Sequence, residues 1–247
     1  FLRHLLTEMQ LYFHKYGAIN VDTVFFGGGT PNILKRSTFS KIIEHIHRYF
    51  TVSSNAEITM EMNPGVHSKS KLSFFMSEGI NRVSVGVQSF DEAVLKDYGR
   101  NHSVLDTYQF FDDLQSVGVK NMNADIIFGH PNHAKKVLKH SLDILSNMKV
   151  PHVSLYGLTL YPGTPFYKQK LTINQDSQGD QYCYIQSFLS DVGYEQYEVS
   201  NFSFPGYTCK HNLKYWQLQS TIGLGPSAHS FFMGKRYCNA KNFNTYI

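Results

Sequence analysis

Four strand-like stretches alternate apolar and polar residues with period two, and helical patterns separate them. In EITMEMN (57–63), Ile58, Met60 and Met62 oppose Glu57, Thr59 and Glu61. In RVSVGVQS (82–89), Val83, Val85 and Val87 oppose Ser84, Gly86 and Gln88. In NMNADIIFG (121–129), Met122, Ala124, Ile126 and Phe128 oppose Asn121, Asn123 and Asp125; in HVSLYGL (152–158), Val153 and Leu155 oppose Ser154 and Tyr156. Successive side chains of a strand point to opposite faces, so each stretch has one greasy and one polar side. With Asp22–Phe26 added, the expected strands are Asp22–Phe26, Glu57–Met62, Arg82–Gln88, Met122–Phe128 and His152–Leu158. Helical spacing falls between them, as in Phe39, Ile42, Ile43, Ile46 and Phe50. Strands that alternate with helices form βα units with a parallel sheet.

Parallel strands covered on both faces normally read as continuous apolar runs, and these do not. Two architectures accommodate the pattern. An antiparallel sheet with one wet face alternates in this way, but it does not need the intervening helices. A barrel wrapped by helices places the apolar set outward and the polar set in its lumen. Ordinary barrels fill that lumen with Val, Ile and Leu. Glu, Gln, Asn, Asp and Ser there are costly unless hydrogen-bonded, often to a ligand. The polar sets end at the C-terminal ends of their strands, where barrel enzymes place their sites.

The stretch VFFGGGTPNIL (24–34) adds a second constraint. Three consecutive glycines lose more backbone entropy on folding than any other triplet. They fit a turn at which the main chain passes close to something, and here they follow a strand. The glycines at 27–29 are therefore expected to border a ligand held across the barrel mouth.

Composition excludes several classes. No run of eighteen or more apolar residues is present, so no membrane span is expected. A net charge of +4 with scattered Lys and Arg gives no nucleic-acid footprint. Cys183, Cys209 and Cys238 are too few for a disulfide framework and fit a reducing cytoplasm, and no secretory signal opens the chain. The chain starts at Phe1 inside an amphipathic helix (Leu2, Leu5, Leu6, Met9, Phe13) and stops at Asn244-Thr245-Tyr246-Ile247 without a terminating signal. It is read as an internal fragment.

Six motifs in order carry a family resemblance: GGGTP (27–31), E-x-NP (Glu61, Asn63, Pro64), GINRVSVGVQSF (79–90), GRNH (99–102), NADIIFGHP (123–131) and SLYGLTLYPGTPF (154–166). Together they resemble the radical SAM enzymes, in the oxygen-independent coproporphyrinogen oxidase group, over about residues 20–235. GYEQYEVSNFSFPGYTCKHNLKYW (193–216) and GLGPSAHSF (223–231) resemble the HemW, heme-chaperone branch of that group.

The resemblance implies an α/β fold, a partial (β/α)6 TIM-like barrel truncated at both ends. Residues 1–170 would form the barrel. Residues 171–247 would be a C-terminal extension carrying the HN-x-x-YW loop. It implies S-adenosyl-L-methionine (SAM), a [4Fe–4S] cluster and heme as cargo, with a heme-accepting protein as partner. The alternative reading is an enzyme, coproporphyrinogen III oxidase (dehydrogenase), acting through a 5′-deoxyadenosyl radical. The family's C-x3-C-x2-C is absent, so no cluster ligand is expected in this sequence; the cysteines are expected upstream of Phe1.

The same resemblance assigns residues. Gly28, Gly29 and Thr30 match the SAM amino-group contact. Glu61 and Gln88 match positions bonded to its ribose or methionine end. Arg100 offers a guanidinium fork to its carboxylate. Asp125 matches a ribose or sulfonium contact, and Tyr156 and Gly157 would flank the adenine. His211 is the heme candidate, with Tyr215 and Trp216 as an aromatic wall. A lone His in a loop is more often a structural hydrogen-bonder, Cys209 is a rival ligand, and any of 12 histidines can take heme adventitiously.

Overall fold

The structure is a computed structural model and describes residues 1–246. In chain order its elements are α1 (Leu2–Tyr16), β1 (Ile19–Phe26), a 3₁₀ turn at Pro31–Ile33, α2 (Arg36–Tyr49), β2 (Phe50–Met62), α3 (Lys69–Ser77), β3 (Arg82–Gln88), α4 (Glu92–Asp97), α5 (Val104–Ser116), β4 (Asn121–Phe128), α6 (Lys135–Asn147) and β5 (His152–Gly157). There follow α7 (Pro165–Lys168), α8 (Gln175–Asp191), β6 (Glu195–Gln196), β7 (Asn201–Ser203), α9 (Lys210–Trp216), β8 (His229–Phe232), β9 (Lys235–Cys238) and α10 (Phe243–Tyr246).

One sheet runs β1-β2-β3-β4-β5-β7-β6, curled into a half-barrel. Its first five strands are parallel neighbours, and β7 then pairs antiparallel with β5 and with β6. The partial α/β barrel is thus present, with five parallel strands and an antiparallel edge contributed by residues beyond 170. No described helix is long and apolar enough to cross a membrane.

The apolar faces go where the alternation sends them. Val83, Val85, Val87, Met60 and Val153 are fully buried, as are Phe39 of α2, Phe75 of α3, Phe111 of α5, Leu142 of α6 and Ile185 of α8. All belong to one continuous core between sheet and helices, and α8 and β7 share it with the 1–170 segment. Each such side chain contributes about 1.5–3 kcal/mol by leaving water. Helix starts are set locally: Asp91 accepts from the Ala93 and Val94 amides, and Ser103 and Asp106 form a reciprocal capping box on α5.

The opposite face is buried too, and it is polar: Glu57, Thr59, Arg82, Ser84, Gln88, Asn123, His152 and Ser154 are all at most 7% exposed. That face lines the concave side of the curl.

Candidate functional site

The polar faces converge on one cavity of about 610 Å³, a size typical of small-molecule sites. Glu61, Gln88, Arg100, Asp125, Tyr156, His211 and Gly29 all line it. Gly28 and Thr30, chain neighbours of the lining Gly29 and Pro31, do not themselves line it, and neither does Gly157.

The glycine turn is stitched to the end of β2. Gly28 and Gly29 are both left-handed, at φ 74° and 62°, which only glycine adopts cheaply. A Cβ on Gly27 would stand 2.9 Å from the Phe25 ring and 3.1 Å from the Glu61 carboxyl. The Gly28 amide donates to Glu61 Oε2 at 2.9 Å. Asn32, almost fully buried, donates to the Asn63 carbonyl at 3.2 Å and accepts from the Asn63 amide at 3.4 Å. Asn63 in turn donates to Thr30 Oγ1 at 3.3 Å. One Glu61 oxygen is therefore used to hold the turn, and Oε1 has no hydrogen bond among the described residues. Burial first, then the Asp125 charge, raises the Glu61 carboxyl above the usual range, against the pull of the Gly28 amide.

Gln88 ends β3 in a left-handed conformation at φ 68°, and the pairing of β3 with β4 slips between Val85 and Gln88. A non-glycine residue held there stores strain, and such outliers gather at ligand sites. The bulge swings the Gln88 amide over Gly86, where a Cβ would meet it at 3.0 Å.

Asp125 points from the middle of β4 into the cavity. It accepts from Asn123 Nδ2 at 2.8 Å and from Ser84 Oγ at 3.3 Å. Its depth in the protein is the main cause that raises its carboxyl above the ordinary range, with these bonds opposing. Asn123 is held from its other side by His152 Nδ1 at 2.6 Å and Ser154 Oγ at 3.0 Å. Arg100 follows Gly99, which is left-handed at φ 64° and closes α4. Its Nε is buried without a partner, and burial lowers the guanidinium pKa although Asp125 opposes this. The Tyr156 ring opens onto the cavity, and its hydroxyl pKa is raised to about 12, first by burial and then by Asp125. A Cβ on Gly157 would meet the Gln178 carboxamide at 3.2 Å, so this glycine makes room for α8.

His211 does not lie in a loop. The HNLKYW stretch forms the short helix α9, whose first amides meet the buried Glu57. Glu57 accepts from the Lys210 and His211 amides at 3.0 Å each, and the Cys209 thiol lies 3.5 Å from it. A carboxylate at helix amides is favourable by charge and by hydrogen bonding. At the other end, Lys214 pairs with Asp22 of β1 at 2.8 Å. His211 is thereby stacked on Phe25 at 5.2 Å, with Nδ1 2.9 Å from Thr23 Oγ1 and Nε2 3.0 Å from the Tyr215 hydroxyl. Both ring nitrogens are engaged, so neither is a free iron ligand in this arrangement.

Burial drives the His211 pKa down to about 4. The unfolded chain takes a proton near pH 6.5, while the folded ring stays neutral until about pH 4. Stability therefore falls as pH drops through that window, by roughly 3 kcal/mol for this group. A His211→Asn variant should lose less melting temperature than wild type between pH 6.5 and 4. Parallel melting curves for the two would remove the assignment.

One cavity residue was legible in the sequence and missed there. Arg82 is in phase with Ser84, Gly86 and Gln88 on β3, so the same alternation sends it inward. It is 2% exposed, lines the cavity, and its Nε has no partner. Asn123, on the polar face with Asp125, lines the cavity as well, together with Phe25, Asn63 and Ile127. The cavity thus offers two cations, two carboxylates with raised pKa, several amides and flat rings. That set suits a zwitterionic ligand carrying hydroxyls and a flat ring.

Comparison with known proteins shows the family and the fold. The Radical SAM superfamily matches residues 5–145. The protein named heme chaperone HemW of Bacillus subtilis is 34% identical over 253 residues, covering 100% of this chain and 67% of its own length. The protein of the same name from Lactococcus lactis is 32% identical, covering 100% of this chain and 65% of its own. A Danio rerio protein named radical S-adenosyl methionine domain-containing protein 1, mitochondrial, is 35% identical over 86% of this chain and 49% of its own length. The chain thus spans from half to two thirds of the curated relatives it matches. The solved structure of Escherichia coli coproporphyrinogen III oxidase, a radical SAM enzyme, superposes with TM-score 0.84 and 21% identity, over 98% of this chain and 60% of that one. At that identity the likeness is one of fold.

Proposed function

Because this chain belongs to the radical SAM superfamily and, within it, to the branch of the HemW heme chaperones, we propose that the complete protein binds SAM in the 610 Å³ cavity and carries or transfers heme in the cytoplasm. The observation that carries the SAM reading is the convergence of Glu61, Gln88, Arg100 and Asp125 on that cavity, with Arg100 Nε lacking a partner. The donor set fits the ligand. Arg100 would hold its carboxylate through a bidentate fork. Gly29 and Thr30 would border its amino group. Glu61 Oε1 would accept from a ribose hydroxyl, and Asp125 would face the ribose or sulfonium. Tyr156 would flank the adenine, with Gln88 on the methionine side. When bound, SAM supplies a group that one-electron reduction can cleave; the residues here bind, orient and shield it.

The cluster that the family implies does not fit these residues. It needs several thiolates together. Cys183 and Cys238 are exposed, Cys209 is buried against Glu57, and none lines the cavity among the described residues.

Heme binding is supported by the relatives' names and by α9, which exposes Tyr215 at 54% and Trp216 at 58% beside His211. Exposed adjacent aromatics offer a wall for a flat macrocycle. His211 would ligate iron only once the Tyr215 hydroxyl gives way. The second reading, coproporphyrinogen oxidation, is favoured only by the fold likeness.

Three measurements on the full-length, cluster-loaded protein test the reading. Calorimetry should show weaker SAM binding for Asp125→Ala and for Gln88→Ala, and unchanged affinity refutes the cavity assignment. His211→Ala should shift the heme Soret band or its stoichiometry, and an identical titration removes His211 as ligand. Incubation with coproporphyrinogen, reductant and SAM should release no carboxyl groups; steady release would establish the enzymatic reading.

A further inference from the structure

Away from the cavity, at the mouth of the half-barrel, three metal-ligating side chains meet: Asp97 at the end of α4, and His130 and His133 in the loop after β4. One ligand atom from each lies within 4.8 Å of the others. We propose that Asp97, His130 and His133 form a binding site for a first-row divalent cation, Zn²⁺ foremost, that pins the loop after β4 to the end of α4.

Four observations carry this. First, Asp97 Oδ2 stands 3.0 Å from His133 Nε2, yet that buried nitrogen makes no well-aligned hydrogen bond among the described residues. In a tetrahedral Zn²⁺ site with bonds of about 2.0–2.1 Å neighbouring ligand atoms lie about 3.3 Å apart, close to this spacing. Second, the His130 and His133 rings sit 4.3 Å apart, centroid to centroid. That packing holds the two rings side by side in the loop after β4. Third, His130 is 4% exposed and walled by Tyr98 and Phe166, at 5.7 Å and 5.2 Å. Fourth, a hollow of about 20 Å³ lined by both histidines, though not by Asp97, leaves room for one small particle beside the two rings.

Two histidines and one carboxylate are an N/O set suited to Zn²⁺, with a fourth position left for water. Ligation has one local cost. His130 Nδ1 now accepts from the Asn132 amide at 3.2 Å, a long bond that must be released. The loop begins just after the strand carrying Asp125, so the cation would brace the rim of the cavity without entering it.

The test uses the full-length, cluster-loaded protein, with iron content followed in parallel. Zn²⁺ is titrated in competition with a chromophoric chelator, and Co²⁺ is added separately as a spectroscopic probe. Wild type should take up one Zn²⁺ equivalent beyond its iron and give the intense visible bands of tetrahedral Co²⁺. His133→Ala and Asp97→Asn should each weaken uptake at least about tenfold and abolish those bands. His47→Ala, on the exposed face of α2, should change neither. No added equivalent in wild type overturns the proposal, as does equal uptake and affinity in a His133→Ala/Asp97→Asn double variant.

Discussion

Replacing Arg100 with methionine lowers SAM affinity of the full-length protein by roughly two to three orders of magnitude, about 3–4 kcal/mol, the range for removing one member of a buried charge pair. The reason lies in what Arg100 lacks. Its Nε is buried without a partner beside the cavity, and burial already lowers its pKa. A cation held in that state is costly until an anion meets it. Deleting it should leave the melting temperature of the ligand-free protein unchanged or higher, while affinity collapses. A structural arginine behaves the opposite way, so the two readouts separate the roles. Lysine at 100 should not rescue, because a point charge lacks the planar fork. Affinity in Arg100→Met within about threefold of wild type would remove this residue from the site.

Glu57→Ala should destabilise the protein by about 3 kcal/mol and release α9, because it orphans the Lys210 and His211 amides together. Hydrogen exchange at residues 209–216 should accelerate more than in β3 or β4. Heme binding should weaken with it, since Tyr215 and Trp216 lose their platform. Glu57→Gln should fall between, because its carbonyl oxygen still accepts while its NH₂ opposes the amide donors. If exchange in α9 matches wild type, Glu57 is an ordinary buried acid and the cap is not what seats the helix.

The part of the site on β2, β3 and β4 was legible because strand parity is a local property. Once Ile58, Met60 and Met62 face the helices, Glu61 has one direction left, and the same holds for Gln88 and Asp125. Arg82 obeys the same rule, since it lies in the same phase as Ser84. The rest had no local signal. Glu57 obeys the parity rule and points inward, but it meets α9, more than 150 residues away, and caps it. The HNLKYW segment carries no N-cap side chain of its own, so sequence favoured a loop, and a distant carboxylate decided otherwise. Gly157 follows a strand like the other site glycines, yet Gln178 is what occupies the space it leaves.

Sequence alone determined the alternation of strands and helices, the polar inner face, and the three carboxylate and amide side chains that share it. Each follows from the two-residue repeat of a strand and the cost of burying unpaired polar groups. Tertiary structure alone decided that His211 is stacked on Phe25 with both nitrogens taken, that Glu57 serves a helix rather than a ligand, and that Asp97 meets His130 and His133. Those contacts join segments whose separation along the chain carries no periodicity, so only the closing of the sheet brings them within bonding distance.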